Sequence, residues 1–207
     1  MTTKKGVKLY INGIEKKINE TLRSETLYMK DLQNNLKRLK RQKSLDSSEK
    51  LRIEYLSTEI KKSRAKITTA KGYKKELTPE MINDDLKKLK KHPHIIGVEA
   101  ETKGFQIYTK PLKVKSRKIG HYEIELSYGN PGSIYIYNLY KKRIYGDYDH
   151  WFIKRGKPCF GKWTEGLREY LYSGNIYLVV DTLIRFLTSD YRSGEGYITF
   201  KKFTHNY

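Results

Sequence analysis

The chain has 207 residues, of which 32% are charged and 37% are hydrophobic, and its formal net charge is +20. A chain this basic favours polyanionic partners, and its single cysteine excludes an internal disulfide framework. No apolar run is long enough for a secretory signal or a transmembrane helix, so we expect a cytoplasmic protein with no membrane partner.

Composition divides the chain into two regions. Residues 1 to 91 carry a formal charge of +13, and their aromatic residues are four tyrosines, whereas residues 92 to 207 carry +7 and most of the aromatic residues. We therefore predict a basic helical arm at 1–75 and an α+β domain at 76–207.

Apolar residues in the arm recur at helical spacing from Ile11 to Leu39 and again from Leu51 to Ile67, separated by the sequence SLDSS. This pattern predicts an antiparallel helical hairpin with helices at 10–42 and 48–72. The narrow apolar stripe is typical of coiled coils, so the hairpin is expected either to form a homo-oligomer or to act as a spacer.

The basic faces of the same helices suggest a second role, the binding of a polyanion such as nucleic acid. The candidate polyanion-binding residues are Lys37, Arg38, Lys40, Arg41, Lys61, Lys62 and Arg64.

A third helix is predicted to begin after Thr78, a good N-cap, with Pro79 at its first position, and to end near Lys91 before His92-Pro93. Hydrophobic residues then alternate over 96–100, 105–107, 122–126 and 133–139, with a basic loop at 110–118. Alternation with short turns predicts a four-stranded antiparallel meander that is buried on one face. Glu123 and Glu125 fit its solvated face better than a catalytic pair.

Two helices are predicted to close the domain. Thr164 can cap a short helix that ends at Gly174, and Asn175 can cap an apolar helix at 176–188. Residues 197–203 form either a last strand or a tail. The fold class is therefore α+β, with an N-terminal coiled-coil-like helical hairpin, a helix, a four-stranded antiparallel meander and C-terminal helices.

The only cysteine, Cys159, lies in a segment with Gly156, Pro158 and Gly161 that is too rich in glycine and proline for a helix or a central strand. Nearby lysines and a following helix start favour its thiolate, which makes Cys159 a candidate nucleophile, although free cysteines are often buried hydrophobes instead. His150 is a candidate base or a residue that shapes the loop.

No cofactor or metal is expected. Cys159 and His150 supply only two metal ligands, whereas a zinc site needs three or four. The sequence contains no phosphate-binding loop, dinucleotide glycine pattern or HExxH pattern.

The order of these elements resembles the ubiquitin-conjugating enzyme and RWD-like superfamily. The resemblance covers about 79–203 and is carried by His150, by the loop Gly156-Lys157-Pro158-Cys159-Phe160-Gly161 and by the helix 176–188. The chain looks most like divergent phage and prokaryotic members, in which a His-Pro-His resembling residues 92–94 and a His…Gly-x-x-Cys-x-Gly loop recur. The resemblance implies a phage-associated protein related to the virion or to packaging, located in the host cytoplasm or the virion.

Three functions follow as hypotheses. Trp151 and Phe152 stand where the family's motif has proline and the asparagine thought to stabilise the oxyanion, which favours a non-enzymatic protein-binding or assembly module. This module would bind a protein through its α+β domain. The alternatives are a ubiquitin-conjugating-like thiol carrier that uses Cys159 and His150, and a DNA- or RNA-binding protein that acts through its basic helices.

Overall fold

The structure is a computed structural model that describes residues 2–42, 44, 46–130, 133–139 and 147–189. Its helices and strands are, in chain order, α1 (Thr3–Lys40), α2 (Ser47–Glu76), α3 (Pro79–Lys90), β1 (Ile95–Ala100), β2 (Gly104–Thr109), β3 (Leu112–Val114), β4 (Arg117–Gly120), β5 (Tyr122–Ser127), β6 (Ile134–Asn138), β7 (Tyr148–His150), β8 (Ile153–Lys154), β9 (Lys157–Pro158), α4 (Thr164–Tyr172) and α5 (Ile176–Thr188). The predicted α+β class is confirmed. The strand or tail predicted at 197–203 lies outside the described residues.

The chain divides into two compact units. The hairpin unit comprises residues 15–76, and the α+β unit comprises residues 1–14 together with residues 77–207. Helix α1 contributes to both units, so the first residues of the chain belong to the α+β unit, although the sequence placed them in the helical arm.

Both helices that the apolar periodicity predicted are present and are longer than expected, and the hairpin unit contains α2 and the part of α1 that follows Ile14. The break between them is set by Asp46, whose Oδ1 accepts a hydrogen bond from the Glu49 backbone N–H at 2.8 Å, while Glu49 Oε2 accepts from the Asp46 N–H at 3.0 Å. This reciprocal pair is a capping box, which satisfies two N–H groups at the start of α2.

The two helices of the hairpin unit are held by a short apolar cluster and by polar contacts. Leu32, Leu39, Leu56 and Ile60 form the buried cluster. Ser63 Oγ donates to Glu25 Oε2 at 2.8 Å, and Lys74 Nζ donates to Asn19 Oδ1 at 3.1 Å. Because residues later in α2 meet residues earlier in α1, the helices are antiparallel, as predicted.

The four-stranded sheet has the order β1-β2-β5-β6, with every neighbouring pair antiparallel, so the predicted meander is confirmed. Its inner face is buried and consists mainly of Phe105, Ile107, Ile124, Leu126, Ile134 and Ile136. The prediction that Ile96 shares this face is wrong, because its side chain is 63% exposed. A β-bulge between Ile95 and Gly97 shifts the register and buries Ile95 instead.

The predicted basic loop at 110–118 is wrong in part, since it contains the β3–β4 hairpin. The two residues of its turn, Lys115 and Ser116, have φ angles of 46° and 66°. Two consecutive residues with positive φ form a tight turn whose twist matches the right-handed twist of the flanking strands, and such a turn normally contains Asn or Gly. Neither residue occurs here, which hid the turn in the sequence.

Two helix starts in the α+β unit were predicted with different success. Thr78 caps α3 as expected, since its Oγ1 accepts from the Met81 N–H at 3.2 Å. Asn175 precedes α5 but its side chain makes no capping bond. The buried Asp85 of α3 replaces it, because Asp85 Oδ2 accepts from the Tyr177 N–H at 3.0 Å.

The prediction that Thr164 caps α4 is wrong. It is the first residue of that helix, and its hydroxyl donates to the Gly161 carbonyl at 2.8 Å. The turn of 3-10 helix at Gly161–Trp163 runs directly into α4 and so leaves no extended capping position. Helix α4 is followed by Gly174 with φ of 75°, as the predicted helix end requires.

The first turns of α1 pack within the α+β unit. The Tyr10 ring meets the Phe105 ring edge-on, with 5.5 Å between centroids, and both side chains are fully buried. Among the residues that the structure describes, none of the helices combines the length and the apolar character needed to cross a bilayer.

Candidate functional site: the cysteine loop and the basic groove

The segment before Cys159 is more ordered than the sequence suggested. It forms a small three-stranded antiparallel sheet, β7-β8-β9, rather than an irregular loop. Its strands have only two or three residues, which is too short for an alternation pattern to be seen. Arg155 and Gly156, with φ angles of 50° and 73°, make the tight turn between β8 and β9.

Asp149 holds this small sheet against strand β6. The carboxylate is buried, with Oδ1 accepting from the Asn138 N–H at 3.1 Å and Oδ2 accepting from the Gly156 N–H at 2.8 Å. The Asn138 side chain donates in turn to the Asp149 carbonyl at 3.2 Å. No signal in the sequence indicated the role of Asp149, because the sequence alone does not distinguish a buried aspartate from one at the surface.

His150 is fully buried beside Asp149. Its Nδ1 accepts a hydrogen bond from the Phe152 N–H at 3.3 Å, so the proton is on Nε2, which donates to the Leu187 carbonyl at 3.0 Å. Burial lowers the pKa of His150 from 6.5 to about 3. The ring is therefore neutral near pH 7, and both of its nitrogens are bonded to backbone groups, which are the contacts of a loop-shaping residue.

Gly156, Pro158 and Gly161, which the sequence also suggests as loop-shaping residues, differ in their surroundings, and only Gly156 is tightly packed. A side chain at Gly156 would collide with the Tyr137 ring, and the Gly156 carbonyl accepts from the Ile136 N–H at 2.9 Å, which joins β9 to β6. Pro158 pairs with Ile153 in the small sheet. Gly161, with φ of 50°, allows the chain to enter the turn before α4.

The Cys159 side chain is exposed, whereas its backbone is fixed. Its N–H donates to the Phe152 carbonyl at 2.8 Å, and the next residue, Phe160, packs edge-on against Phe186 of α5 with 5.2 Å between ring centroids. Cys159 thus lies at the surface, on a segment whose backbone is hydrogen-bonded to Phe152. The two candidate catalytic residues differ in environment, since Cys159 is exposed and His150 is buried.

No group of three or more His, Cys, Asp or Glu side chains that could hold a metal ion occurs within the described ranges. His92, in the motif at 92–94, is buried and makes structural contacts. Its Nδ1 accepts from the His94 N–H at 3.2 Å, and its Nε2 lies 3.4 Å from Asp181 Oδ1 of α5.

The second candidate site is a groove of about 520 Å³ on the hairpin unit, lined by both helices. Its floor includes the partly buried Leu36 and the buried Ile60. Five of the seven predicted polyanion-binding residues line it, together with neutral side chains and no carboxylate. We call it the basic groove, and its cations are Lys37, Lys40, Arg41, Lys61 and Arg64.

The remaining two predicted cations lie outside the basic groove. Lys62 pairs with Glu59 at 2.7 Å, and this hydrogen bond raises the pKa of Lys62. Arg38 is exposed on α1 but is not among the residues that line the groove. The sequence identified the charged positions, but the packing of α1 on α2 was needed to separate the convergent cations from the others.

Comparison of the chain with models of protein families, with curated proteins and with solved structures found no match.

Proposed function

We propose that this protein is a non-enzymatic binding module whose basic groove binds the phosphate backbone of nucleic acid. The observation that supports this proposal is the convergence of five cations, four from the two helices and Arg41 from the turn after α1, on a groove with no carboxylate in its lining. Phosphate contacts are the main source of affinity in sequence-independent nucleic-acid binding.

The charges of the basic groove are available to a ligand. None of its five cations makes an ion pair with a carboxylate within the described part of the chain, whereas Lys62 and Lys66 on the same helix do. All five side chains are solvent-exposed. An unpaired cation gains more from a phosphate than a cation that must first leave a carboxylate, so the cations of the groove are favourable phosphate ligands.

The test is a salt titration of binding to a short DNA duplex, followed by fluorescence anisotropy. Each phosphate contact contributes about −0.9 to the slope of log K against log salt concentration, so five contacts predict a slope of about −4 to −5. The variant K37Q/R41Q/K61Q/R64Q should reduce that slope by about 3 to 4 and weaken binding strongly at low salt.

The matched control is R23Q/K30Q/R52Q/K71Q, which removes the same charge from exposed positions of α1 and α2 outside the groove. We expect this control to retain most of the slope. Equal losses for both variants would mean that net charge, and not the groove, attracts the DNA. A slope near zero for the natural protein would exclude the proposed function.

The exposed Cys159, whose backbone N–H is hydrogen-bonded to the Phe152 carbonyl, supports a second candidate function, a thiol carrier of the ubiquitin-conjugating type. The rate of alkylation of Cys159 by iodoacetamide, measured from pH 6 to pH 9 beside free cysteine, tests it. A carrier thiol should react faster than free cysteine near neutral pH because its thiolate is stabilised. A rate equal to or below that of free cysteine would remove this candidate.

A further inference from the structure

The outer face of the four-stranded sheet has a distinct composition. The register places Glu99, Gln106, Glu125 and Tyr135 side by side across the four strands, and it places Tyr108, Glu123 and Tyr137 in the adjacent row. All of these side chains are exposed or half-buried. We call this surface the tyrosine–glutamate face, and its principal residues are Glu99, Tyr108, Glu123, Glu125, Tyr135 and Tyr137.

This face has no positive charge of its own. Strands β1, β2, β5 and β6 contain three glutamates and not a single Lys, Arg or Asp, in a chain that has 43 Lys and Arg. Within the described residues, neither Glu99, Glu123 nor Glu125 forms an ion pair. Within the part of the chain that the structure describes, the negative charges of the face therefore have no ion-pair partner.

The glutamates act on one another and on the tyrosines. Partial burial, followed by the charges of Glu125 and Glu99, raises the pKa of Glu123. Burial and the charges of Glu123 and Glu99 raise the pKa of Tyr108. A cationic side chain placed among these carboxylates would relieve their mutual repulsion.

The tyrosines add a surface on which guanidinium groups can stack. Tyr135 and Tyr137 lie with their rings parallel within 5° and their centroids 6.4 Å apart. Tyr108 is oriented by its hydroxyl, which donates to Gln106 Oε1 at 2.7 Å. Arginine stacks on aromatic faces while its N–H groups bind carboxylates, and this face offers both partners.

We propose that the tyrosine–glutamate face of one copy docks the basic groove of the hairpin of a second copy. Among the described residues, the two surfaces are complementary in charge, since the strands of one carry glutamates without cations and the lining of the other carries cations without carboxylates. The groove also supplies two arginines, Arg41 and Arg64, for stacking on the tyrosines. Every copy carries both surfaces, so the contact is heterologous and adds copies head to tail.

This contact uses the same groove as the proposed nucleic-acid binding. A polyanion and the tyrosine–glutamate face of another copy therefore compete for the groove, and each reduces the apparent affinity of the other. Short DNA duplexes should therefore shorten the assemblies. The basic groove would bind another copy in the free protein and DNA in the nucleic-acid complex.

The test is the mass of the full chain in solution, measured by analytical ultracentrifugation from about 1 to 100 µM protein. In about 50 mM salt the average mass should rise above the 24.5 kDa of the monomer with increasing concentration, and about 500 mM salt should reverse the rise. The variant E123Q/E125Q should associate at least about tenfold more weakly, whereas the control E80Q/E165Q, at exposed positions in α3 and α4, should associate normally.

Charge reversal gives the decisive result. Neither E123K/E125K nor K37E/R64E alone should associate, but an equimolar mixture should, because each variant then presents a surface complementary to the other. A mixture that stays monomeric, or a natural protein that stays monomeric at all concentrations, overturns the proposal. A monomer that binds an arginine-rich peptide would also overturn it, since the occupant would then be another protein.

The outcomes separate this inference from the proposed function. E123Q/E125Q leaves the basic groove intact, so this variant should bind duplex DNA with the salt dependence of the natural protein. Loss of association with retained DNA binding supports the docking contact alone. Normal association with no DNA binding would instead leave the docking contact standing and exclude the nucleic-acid role.

Discussion

The hairpin unit and the α+β unit use opposite means to present a surface. In the hairpin unit, a cluster of four buried apolar residues lies between two helices whose outer faces are rich in lysine and arginine. In the α+β unit, a broad apolar core supports strands without a single cation on the meander. The high net charge of the chain is therefore not spread evenly, and the two units are suited to partners of opposite charge.

The largest expected effect comes from cavities in the two cores. Leu183→Ala removes a fully buried side chain from α5 and should reduce the free energy of unfolding of the α+β unit by about 2 to 5 kcal/mol. Leu56→Ala, at the 6% exposed position in the smaller cluster of the hairpin, should cost nearer 2 kcal/mol, because its surroundings can relax towards solvent.

Urea denaturation can separate the two effects. Both tryptophans, Trp151 and Trp163, belong to the α+β unit, so their fluorescence follows that unit alone, whereas far-ultraviolet circular dichroism also follows the hairpin helices. Leu56→Ala should leave the fluorescence midpoint almost unchanged. A shift of the same size in both signals would show that the two units unfold together.

The next effect concerns Asp149, which joins the small sheet to β6. Asp149→Ala leaves the buried Gly156 N–H and the partly buried Asn138 N–H without their acceptor and should reduce the free energy of unfolding by about 2 to 3 kcal/mol. The control is Asp147→Ala, which removes the partly exposed pair with Arg155 and should cost less than about 1 kcal/mol. Equal losses in the fluorescence-detected transition would contradict the role given to Asp149.

His150 should make the α+β unit sensitive to acid. The unfolded ring binds a proton near pH 6.5, but the folded ring does so only near pH 3, so the unfolded state takes up more protons between these values. The free energy of unfolding should therefore fall as pH decreases below 6.5, by up to about 1.4 kcal/mol per pH unit from this group.

His150→Asn provides the check on that pH dependence. This variant should cost about 1 to 2 kcal/mol at pH 7, where the imidazole is neutral, because two buried hydrogen bonds are altered. Its stability should then decrease less steeply between pH 6.5 and pH 3 than that of the natural protein, measured by urea titrations at each pH. If the two stability curves run parallel, His150 binds its proton at the same pH in the folded and unfolded states, which contradicts the prediction.

The smallest effect is expected at Cys159. Because the thiol is exposed and the loop is fixed through its backbone, Cys159→Ser should change the free energy of unfolding by no more than about 0.5 kcal/mol. Thermal melts of both proteins under reducing conditions measure the difference. A larger loss would show that the sulfur packs against the protein and is not displayed.

The elements with strong periodicity or clear capping residues could be predicted from the sequence. The meander and the two long helices follow from the spacing of hydrophobic residues along the chain, and the start of α3 follows from its capping residue Thr78. The bulge between Ile95 and Gly97 was not predicted, because it depends on the pairing of β1 with β2, although a glycine inside a strand is one signal of a bulge. The turn at Lys115-Ser116 could not be predicted, because it contains neither Asn nor Gly.

The site residues, too, could be predicted from the sequence only in part. The sequence identified Cys159, His150 and the basic positions, but burial of His150 and the convergence of five cations arise only when distant elements meet. Asp149 and Asp85 were missed for the same reason, since each binds backbone groups of another element. The expected kinship with ubiquitin-conjugating and RWD-like proteins, and the expected phage association, stay predictions that neighbouring genes can test.

The path of α1 has a consequence for dissecting this protein. Since residues 1–14 and 77–207 form one unit, the hairpin is an insertion within that unit and not a leading domain. Removing residues 1–75 would take away Tyr10 and Ile14, which are fully buried, and would leave the remainder with a damaged core. A deletion that keeps this core would remove only residues 15–76 and join the flanking segments through a short flexible linker.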